Sequence, residues 1–338
     1  VDPRLITEVS MAVAKAAMDS GVARKPIEDW REYRQSLREL MGQETKFTQN
    51  LYDTARSNPK RVVFAEGTHP TMLEAAVRAK EEGFCHPILL GNDVQIRHIA
   101  EDLKLNLDGI EILNLRNDSQ NERRHRYARL FAQKIERKGY TPQEAEDKMY
   151  ERNYFGMMMV ETGEADAFIT GLYTKYSNTI KVANEVIGIR EGYKHFGTIH
   201  LINSKKGILF VADTLINRHP DEEALYDIAR LSAETARFFN RTPAIAMLSY
   251  SNFGTDTEGS AERMQHVIKR LHNELPDLAI DGEMQLNFAM DKDLRDEKYP
   301  FNRLKGLDVN TLIYPNLSAA NSSYKMVKAM VDDGEVVG

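Results

Sequence analysis

The chain has 338 residues, of which 42% are hydrophobic and 28% charged, a composition typical of a globular protein of about two domains. Its longest uncharged apolar stretches have about six residues, which excludes a membrane-spanning helix of ~20 residues. A net charge of −6 disfavours a generic nucleic-acid coating protein, and the single cysteine excludes an internal disulfide and a cysteine-built zinc site.

Residues 1–30 indicate a helix rather than a targeting segment. Apolar residues recur at helical spacing from Leu5 to Ala17, and Gly21 ends the pattern. No basic region followed by an apolar run is present. Because the chain starts with Val and not Met, we expect this helix to close a preceding region, although a trimmed tag gives the same start.

The next part of the chain predicts a βαβ unit. Residues 61–65 are typical of a buried strand, 66–70 of a turn, 71–82 of a helix and 86–90 of a second strand. Such a unit implies parallel strands joined by a right-handed crossover. The polar stretch 26–60 before it indicates a connector or outer helices.

The alternation of strands and helices continues to residue 186 and then changes. Strands at 198–203 and 208–212 are separated by a hairpin-length turn, which predicts an antiparallel pair, a mixed sheet and a domain boundary near 190–197. The other predicted helices cover 94–103, 121–138, 142–150, 154–161, 177–186, 219–240, 261–274 and 318–330, and the other predicted strands cover 110–115, 165–170, 244–249, 278–280 and 311–314.

These elements predict an α/β protein of two lobes with a cleft between them. We expect residues 1–50 to be a helical connector, 51–191 plus 318–338 to form the first α/β lobe, and 192–317 to form the second, with a mixed sheet. Ligands of such folds bind beyond the carboxyl ends of the strands. This rule singles out the loops at 66–70, 171–179, 249–260 and 315–321.

The motifs of several enzyme classes are absent from the sequence. No G-x-G-x-x-G follows a strand and no G-x-x-x-x-G-K-[ST] is present, which disfavours a nicotinamide or P-loop nucleotide site in this chain. The absence of H-x-x-x-H, H-E-x-x-H and G-x-S-x-G disfavours zinc and serine hydrolases. Cys85, beside the start of a strand, fits a buried inert thiol better than a nucleophile. We therefore assign no catalytic and no metal-binding residue.

The loop after the strand at 165–170 is the first candidate anion site. It opens a helix, so its amides and the hydroxyls of Ser177 or Thr179 are suited to hold an anion, and Lys175 and Lys181 add positive charge. The same pattern also fits an ordinary helix cap with solvated lysines.

Two further polar segments lie in the second half of the chain. Ser249 and Ser251 follow the most apolar strand and are placed to line an anion site, or they belong to an ordinary polar loop. Asp281 and Gln285 follow the strand predicted for 278–280, in a segment whose acidic groups orient partners, close a cleft or form structural ion pairs.

These segments, in this order, resemble the phosphotransacetylase family of phosphate acetyl- and butyryltransferases. The resemblance covers about residues 55–330 and implies a sheet like that of the isocitrate and isopropylmalate dehydrogenases. The matching pieces are GEADAFITG at 163–171 with S-x-T-x-K at 177–181, LFVAD at 209–213, AMLSYS at 246–251, AIDGEMQ at 279–285 and YPNLSAANSSYK at 314–325.

The front of the chain resembles a second family. VDPRLITEVSMAVAKAAM at 1–18 is similar to the closing segment of a malic enzyme catalytic region, and SNFG at 251–254 resembles fused rather than free phosphotransacetylases. Together these segments imply the C-terminal domain of a large NADP-dependent malic enzyme. Oxidative decarboxylation of malate to pyruvate and CO2, with NADP and a divalent metal, is then expected upstream of this chain.

The sequence departs from the active members where the resemblance implies catalytic groups. The arginine of the anion loop is Lys181, a second arginine falls on Ile135, and the Asp after D-G-E-x-Q-x is Asn287. Lys175 and Tyr176 replace part of a small, hydroxyl-rich stretch. The family's Ser-Arg…Asp segment, which helps to activate the thiol, is not reached before residue 338. We expect acyl transfer to be lost, because each such group contributes orders of magnitude in rate.

The resemblance thus implies a regulatory and oligomerisation domain that binds acetyl-CoA or CoA. The alternatives are an active phosphate acetyltransferase, moving acetyl between CoA and phosphate, and a purely structural dimerisation module. We expect a cytoplasmic homodimer joined to a malic enzyme domain in the same polypeptide, without a nucleic-acid or membrane partner. The expected ligand-binding residues are Thr174, Lys175, Ser177, Thr179, Lys181, Ser249, Ser251, Asp281, Gln285, Asn316 and Asn321.

Overall fold

A computed structural model describes residues 4–40, 46–204, 207–330 and 335–337. The chain forms two units, Val1–Gly188 and Ile189–Gly338, each with its own sheet. Two residues of the predicted hairpin turn, 205 and 206, lie outside the described part of the chain.

The first unit contains a four-stranded parallel sheet. Its strands are β1 (Lys60–Phe64), β2 (Cys85–Leu90), β3 (Glu111–Leu113) and β4 (Ala167–Ile169), in the order β3-β2-β1-β4. Every neighbouring pair is parallel, with Val62 opposite Pro87 in β1 and β2. The predicted βαβ unit is therefore confirmed.

Helices connect the strands of the first unit and precede them. The helix between β1 and β2 begins with Pro70 in its first turn, and His69 Nδ1 accepts a hydrogen bond from the Thr71 amide at 3.2 Å. The helices are α1 (Arg4–Asp19), α2 (Trp30–Leu40), α3 (Lys46–Ser57), α4 (Pro70–Glu81), α5 (Asp93–Asp102), a short 3-10 helix (Asp118–Gln120), α6 (Asn121–Lys134), α7 (Pro142–Lys148), α8 (Arg152–Glu161) and α9 (Tyr176–Val186).

Helix α8 packs closely on the first sheet through a glycine. Gly156 is buried, and a Cβ atom there would lie 2.2 Å from Phe168 Cε2 and 2.6 Å from Phe168 Cδ2. These distances are far below a van der Waals contact. The ring of Phe168 in β4 therefore occupies the position that a side chain at residue 156 would need.

We expect Gly156→Ala to destabilise the first unit by about 1–3 kcal/mol, because overpacking outweighs the gain in helix propensity. Chemical denaturation followed by circular dichroism measures the change. Adding Phe168→Leu should restore part of the lost stability by making room for the methyl group. Equal stabilities of Gly156→Ala and the wild type would contradict the packing described here.

The second unit contains a six-stranded mixed sheet in the order β10-β5-β6-β9-β7-β8. The pairs β10–β5 and β5–β6 are antiparallel, and the pairs β6–β9, β9–β7 and β7–β8 are parallel. This confirms the predicted hairpin and mixed sheet. The strands are β5 (Ile199–Ser204), β6 (Gly207–Ala212), β7 (Ala244–Leu248), β8 (Ala279–Met284), β9 (Thr311–Ile313) and β10 (Glu335–Val337).

The helices of the second unit include two that the sequence patterns did not predict, α12 and α13. The helices among its described residues are α10 (Glu222–Phe238), α11 (Gly259–Glu274), α12 (Leu286–Met290), α13 (Lys292–Lys298) and α14 (Leu317–Met330). Asp221 caps α10 by accepting a hydrogen bond from the Ala224 amide at 2.8 Å. Glu222 and Glu223 lie in the first turn of this helix, where its dipole favours negative charge.

The end of the chain groups with a different unit from the one we expected. The sequence placed 318–338 in the first lobe, but the structure groups it with the second unit. The reason is local packing: β10 pairs with β5, and Tyr324 of α14 stacks on His200 of β5 with ring centroids 4.2 Å apart. The division between units falls at 188 and 189, just before the boundary region predicted at 190–197.

A fully buried arginine holds the region of α12 and α13 together. Arg295 of α13 is 0% exposed, and its Nη2 donates to the Leu304 and Leu307 carbonyl oxygens at 2.8 Å each. Its Nη1 lies 3.5 Å from the Ala289 carbonyl oxygen, and its Nε lies 3.3 Å from Asp296 Oδ1. The guanidinium group therefore satisfies the polar backbone of a segment that has little regular structure.

Two remaining features bear on the sequence predictions. Cys85 is buried at the first residue of β2, in agreement with an inert thiol, and burial raises the pKa of that thiol.

None of the helices in the described ranges is long and apolar enough to cross a membrane.

Candidate functional site

A cavity of about 620 Å³ lies at the carboxyl edge of the first sheet. Residues that follow all four strands line it: Thr68 after β1, Gly91 after β2, Asn114 after β3 and Thr174 after β4. This is the edge at which parallel sheets bind ligands. We call it the first-unit cavity; its lining is Thr68, Gly91, Asn92, Gln95, Asn114, Leu115, Arg116, Tyr150, Glu151, Arg152, Asn153, Thr174, Asn178 and Val182.

Several helices begin at the first-unit cavity. Asn92 caps α5 by accepting a hydrogen bond from the Gln95 amide at 3.0 Å, and both residues line the cavity. Arg152 and Asn153 belong to the first turn of α8, and Asn178 to the first turn of α9. Each helix N-terminus carries a partial positive charge, so their convergence favours an anionic ligand.

Two arginines add full positive charges to the first-unit cavity. Within the described ranges, neither Arg116 nor Arg152 forms an ion pair with a carboxylate. The Arg152 guanidinium carbon lies 5.3 Å from the ring centroid of Tyr173, and Glu151 instead accepts a hydrogen bond from Lys148 Nζ at 2.7 Å. The donors of both guanidinium groups are thus available to a phosphate or carboxylate.

A buried carboxylate fixes the loop between β4 and α9 beside the cavity. Glu66 is 1% exposed, and its Oε1 accepts hydrogen bonds from Thr170 Oγ1 at 2.8 Å and from the Gly171 amide at 3.1 Å. Thr170 Oγ1 also lies 3.1 Å from Oδ1 of Asn153, a lining residue. Glu66 thereby holds the start of the 171–175 loop against the first turn of α8.

The structure separates the predicted residues of this loop into distinct environments. Thr174 lines the cavity, whereas Lys175 and Ser177 are exposed and are not part of the lining. Thr179 Oγ1 is buried and has no hydrogen-bond partner among the described residues. Thr174 precedes α9, whereas Asn178 and Val182, four residues apart, lie on one face of that helix and line the cavity.

Lys181 is held on another face of α9. Its Nζ lies 3.8 Å from Glu185 Oε1, and 63% of its side chain is exposed. Glu185 Oε2 accepts a hydrogen bond from the Tyr154 hydroxyl at 2.6 Å, and Oε1 accepts one from Tyr140 at 3.2 Å. Burial and the adjacent Glu185 raise the pKa of Tyr154. Lys181 therefore neighbours the Glu185 carboxylate, which two tyrosine hydroxyls also contact, and it is absent from the cavity lining.

The second unit brings another set of predicted residues to the carboxyl edge of its own sheet. Ser249 and Ser251 follow β7, Gln285 follows β8 and Asn316 follows β9. Because β9, β7 and β8 are parallel neighbours, these residues lie at one edge. The structure therefore places these residues after neighbouring strands, and their role in ligand binding stays a prediction.

The side chains at this edge mainly hold the loop after β7 in place. Ser251 Oγ donates to Glu283 Oε1 at 2.8 Å, and its hydroxyl lies 3.3 Å from that of Ser249. Gln285 Nε2 donates to the Tyr250 carbonyl oxygen at 2.7 Å. These contacts join the end of β8 to the loop after β7, which is the structural alternative raised from the sequence.

The three other predicted residues of the second unit are also engaged in local contacts. Asp281 is buried within β8, and its Oδ2 accepts a hydrogen bond from the Arg303 amide at 2.6 Å. Asn316 Oδ1 accepts one from the Ala319 amide at 3.0 Å, as a helix cap does. Asn321 Nδ2 donates to the Thr214 carbonyl oxygen at 3.3 Å.

Sequence reasoning did not find the polar residues that dominate the first-unit cavity. Arg116, Asn114 and Asn92 follow strands that were predicted, so a rule covering every strand end would have included them. Arg152 is the first residue of helix α8, not the end of a strand, and carried no such signal. Over the residues described here, no group of three or more His, Cys, Asp or Glu side chains is arranged to hold a metal ion.

Comparison with known proteins gives three kinds of match. The family model described as Phosphate acetyl/butaryl transferase matches residues 46–338. A phosphate acetyltransferase from Thermoanaerobacterium thermosaccharolyticum is 32% identical over 289 residues, which are 83% of this chain and 86% of that protein. A solved phosphotransacetylase structure from Streptococcus pyogenes has a TM-score of 0.77 at 26% identity and covers 86% of this chain and 88% of that one.

Longer proteins match the whole chain. An NADP-dependent malic enzyme from Salmonella typhimurium is 36% identical over 342 residues, which are 100% of this chain and 44% of that protein. The chain therefore spans less than half the length of the malic enzymes that it resembles. The match includes residues 1–45, which the family model leaves out.

Proposed function

Because this chain belongs to the phosphate acetyl/butaryl transferase family, we propose that it is a regulatory domain of a malic enzyme and binds acetyl-CoA as an effector. The family resemblance and the α/β fold predicted from the sequence are confirmed. The fusion to a malic enzyme is supported by identity that runs through the whole chain, including the part before residue 46.

The chemistry of malate belongs, in this proposal, to another part of the polypeptide. Oxidative decarboxylation of malate to pyruvate and CO2, with NADP and a divalent metal, takes place in a domain that precedes this one. The present chain contributes effector binding and contacts between subunits of a cytoplasmic homo-oligomer. Its single buried cysteine is in keeping with a reducing compartment.

The proposed loss of acyl transfer is supported by the residues found where the family resemblance implies catalytic groups, because those groups are replaced in this chain. Lys181 occupies the position of a family arginine and lacks the bidentate guanidinium group of that residue. It lies near Glu185 and does not line the first-unit cavity. Ile135 stands for a second arginine and is buried in the core at 2% exposure. Asn287, in place of an Asp, is exposed on α12. Each change removes charge stabilisation or proton transfer that this chemistry needs.

The observation that carries the effector proposal is the charge of the first-unit cavity. Acetyl-CoA presents phosphate groups at one end and an uncharged thioester at the other. Arg116, Arg152 and the first turns of α5, α8 and α9 supply donors and positive charge for phosphates. Tyr150 and Asn153 also line the cavity, where the less charged parts of the ligand would lie. The Asn114 side chain is already engaged, because its Nδ2 donates to Asp93 Oδ1 and its Oδ1 accepts from the Arg116 amide, each at 3.2 Å.

Calorimetric titration of the chain with acetyl-CoA tests the proposal. We expect saturable binding with a Kd below about 100 μM, because two charge-assisted contacts are each worth about 1.5–3 kcal/mol. Inorganic phosphate, the matched control, should bind far more weakly because it cannot occupy the rest of the cavity. Absence of heat and of a thermal shift at about 1 mM acetyl-CoA would contradict an effector role.

A separate assay tests the alternative that this chain is an active phosphate acetyltransferase. The chain should release no phosphate from acetyl phosphate above background when CoA is added, while a free phosphate acetyltransferase does so in the same assay. Turnover comparable with that enzyme would show that acyl transfer is retained and that Lys181 is sufficient for it.

A further inference from the structure

A second cavity, of about 440 Å³, lies in the second unit beside the edge strand β8. It is bounded by α11, by the end of β8 and by the segment 301–303 after α13. We call it the β8-edge cavity. Its lining combines buried acidic groups, exposed cations and aromatic rings, and each of these restricts the kind of ligand that fits.

Two buried carboxyl groups line the inner part of the β8-edge cavity. Glu283 is 0% exposed; its Oε1 accepts hydrogen bonds from Ser251 Oγ and from the Gly254 amide, at 2.8 and 2.9 Å. Its Oε2 is buried and has no hydrogen-bond partner among the described residues. Asp281, the second lining acid, is 6% exposed.

The orphaned oxygen of Glu283 points to a ligand with a cationic donor. In the described part of the chain, no Lys, Arg or His side chain forms an ion pair with Glu283. His272 lies 3.7 Å from Asp281 Oδ1, and its Nε2 is 2.8 Å from the Ile280 carbonyl oxygen. A buried carboxylate without a cationic partner is unfavourable, and an ammonium group would supply both the charge and the missing donor.

The rim of the β8-edge cavity has the opposite charge. Lys269 of α11 and Arg303 both line it and are exposed. Neither side chain forms an ion pair with a carboxylate of the described residues. Two unpaired cations at the mouth favour a ligand whose outer end is anionic.

An apolar wall completes the β8-edge cavity. It consists of Phe253, Ile268 and Phe301, and the Phe253 and Phe301 rings meet edge to face with centroids 5.3 Å apart. Phe301 is 68% exposed, a large apolar surface to leave in water. A bound aromatic or aliphatic group would cover part of that ring.

We propose that the β8-edge cavity binds a free amino acid with an aromatic or large aliphatic side chain. The ammonium group lies toward Glu283 and Asp281, the carboxylate toward Lys269 and Arg303, and the side chain against Phe253, Ile268 and Phe301. A simple anion would leave the buried acids uncompensated, and a simple amine would leave the rim cations unused. The site is separate from the first-unit cavity and does not depend on acetyl-CoA binding.

Calorimetry with L-phenylalanine and L-leucine tests the site on the intact chain. We expect at least one of them to bind with a Kd below about 1 mM. 2-Phenylethylamine and 3-phenylpropionate, which each lack one charged group, should bind at least about tenfold more weakly than L-phenylalanine. Failure of both amino acids to bind at about 20 mM would overturn the proposal.

Exposed residues provide variants that leave the fold intact. The double substitution Lys269→Gln with Arg303→Gln should weaken amino acid binding by at least about tenfold, and Phe301→Ala by about fivefold. Lys298→Gln with Lys305→Gln removes the same charge from exposed positions outside the lining and should change nothing. Binding that survives the first pair but is lost with Arg116→Gln and Arg152→Gln would place the amino acid in the first-unit cavity and overturn the assignment.

Discussion

Replacing Arg116 and Arg152 together by glutamine is expected to weaken acetyl-CoA binding by at least about a hundredfold. Both arginines line the first-unit cavity, and neither forms an ion pair with a described carboxylate. Their donors therefore need not leave a protein partner to reach the ligand. Glutamine keeps much of each side chain's length and polarity but removes the charge, so the loss reports the charge-assisted contacts.

Titration calorimetry of the double variant measures this effect directly. Arg78→Gln with Arg129→Gln, on exposed positions of α4 and α6, is the matched control for a change of net charge. The control pair should retain wild-type affinity at about 0.15 M salt, where exposed charges are screened beyond ~8 Å. A loss of affinity in the control as large as in the cavity variant would indicate non-specific attraction of the anion.

The same double variant connects binding to regulation. In a full-length malic enzyme that carries this domain, acetyl-CoA should change the rate of malate oxidation, and the double variant should keep the basal rate but lose the response. An unchanged response, together with lost binding to the isolated chain, would place the effector site elsewhere in the polypeptide and refute the proposed site.

Arg295→Met is expected to destabilise the second unit by about 3–5 kcal/mol. The guanidinium group donates to the carbonyl oxygens of Leu304 and Leu307 and contacts Asp296. Methionine approximates the length of the side chain but makes none of these bonds. The Leu307 carbonyl then loses its donor, whereas the Leu304 carbonyl keeps the Leu307 amide and Asp296 keeps the Asn302 side-chain amide and the Gly306 amide. The expected loss is therefore that of the charge-assisted bonds of the guanidinium group, each worth about 1.5–3 kcal/mol.

Urea denaturation followed by tyrosine and tryptophan fluorescence, with far-ultraviolet circular dichroism, measures the effect of Arg295→Met. Because the chain has two units, the data are fitted to two transitions, and only one should shift. Lys298→Met is the matched control, since that lysine lies on the same helix with 57% of its side chain exposed and pairs with Glu297 at the surface. A shift below about 1 kcal/mol in Arg295→Met would show that water replaces the lost donors.

The sequence predicted element types well where hydrophobic periodicity is strong. The βαβ unit formed by β1, α4 and β2 was located to within about a residue, because apolar runs and turn signals alternate clearly there. Helix α12 has five residues, too few to show a period. Helix α13 depends on the carbonyl groups of Leu304 and Leu307, which lie 9 and 12 residues beyond Arg295 in a segment with little regular structure. Tertiary contacts of that kind leave no local pattern.

The site was predictable only at the level of strand ends. The rule for parallel sheets led to the loop after β4, but the rotation of α9 decides which side chains reach the cavity. Thr174 and Asn178 reach it, whereas Lys181 lies near Glu185. Arg116 lies in the loop after β3 and Arg152 begins helix α8, and only the packing of α8 on the sheet brings them to the same cavity.

The buried thiol of Cys85 allows local opening of strand β2 to be measured without introducing a label site. The thiol lies in β2, between β3 and β1, and its raised pKa keeps the reactive thiolate scarce. A thiol reagent therefore reacts only with molecules in which this strand has transiently separated, and the rate of labelling gives the free energy of that event. Cys85 lies at the amino end of β2, so where its opening also disrupts the cavity at the carboxyl end, a bound ligand slows labelling in proportion to its occupancy. Ligand binding can thus be followed through an unaltered natural side chain.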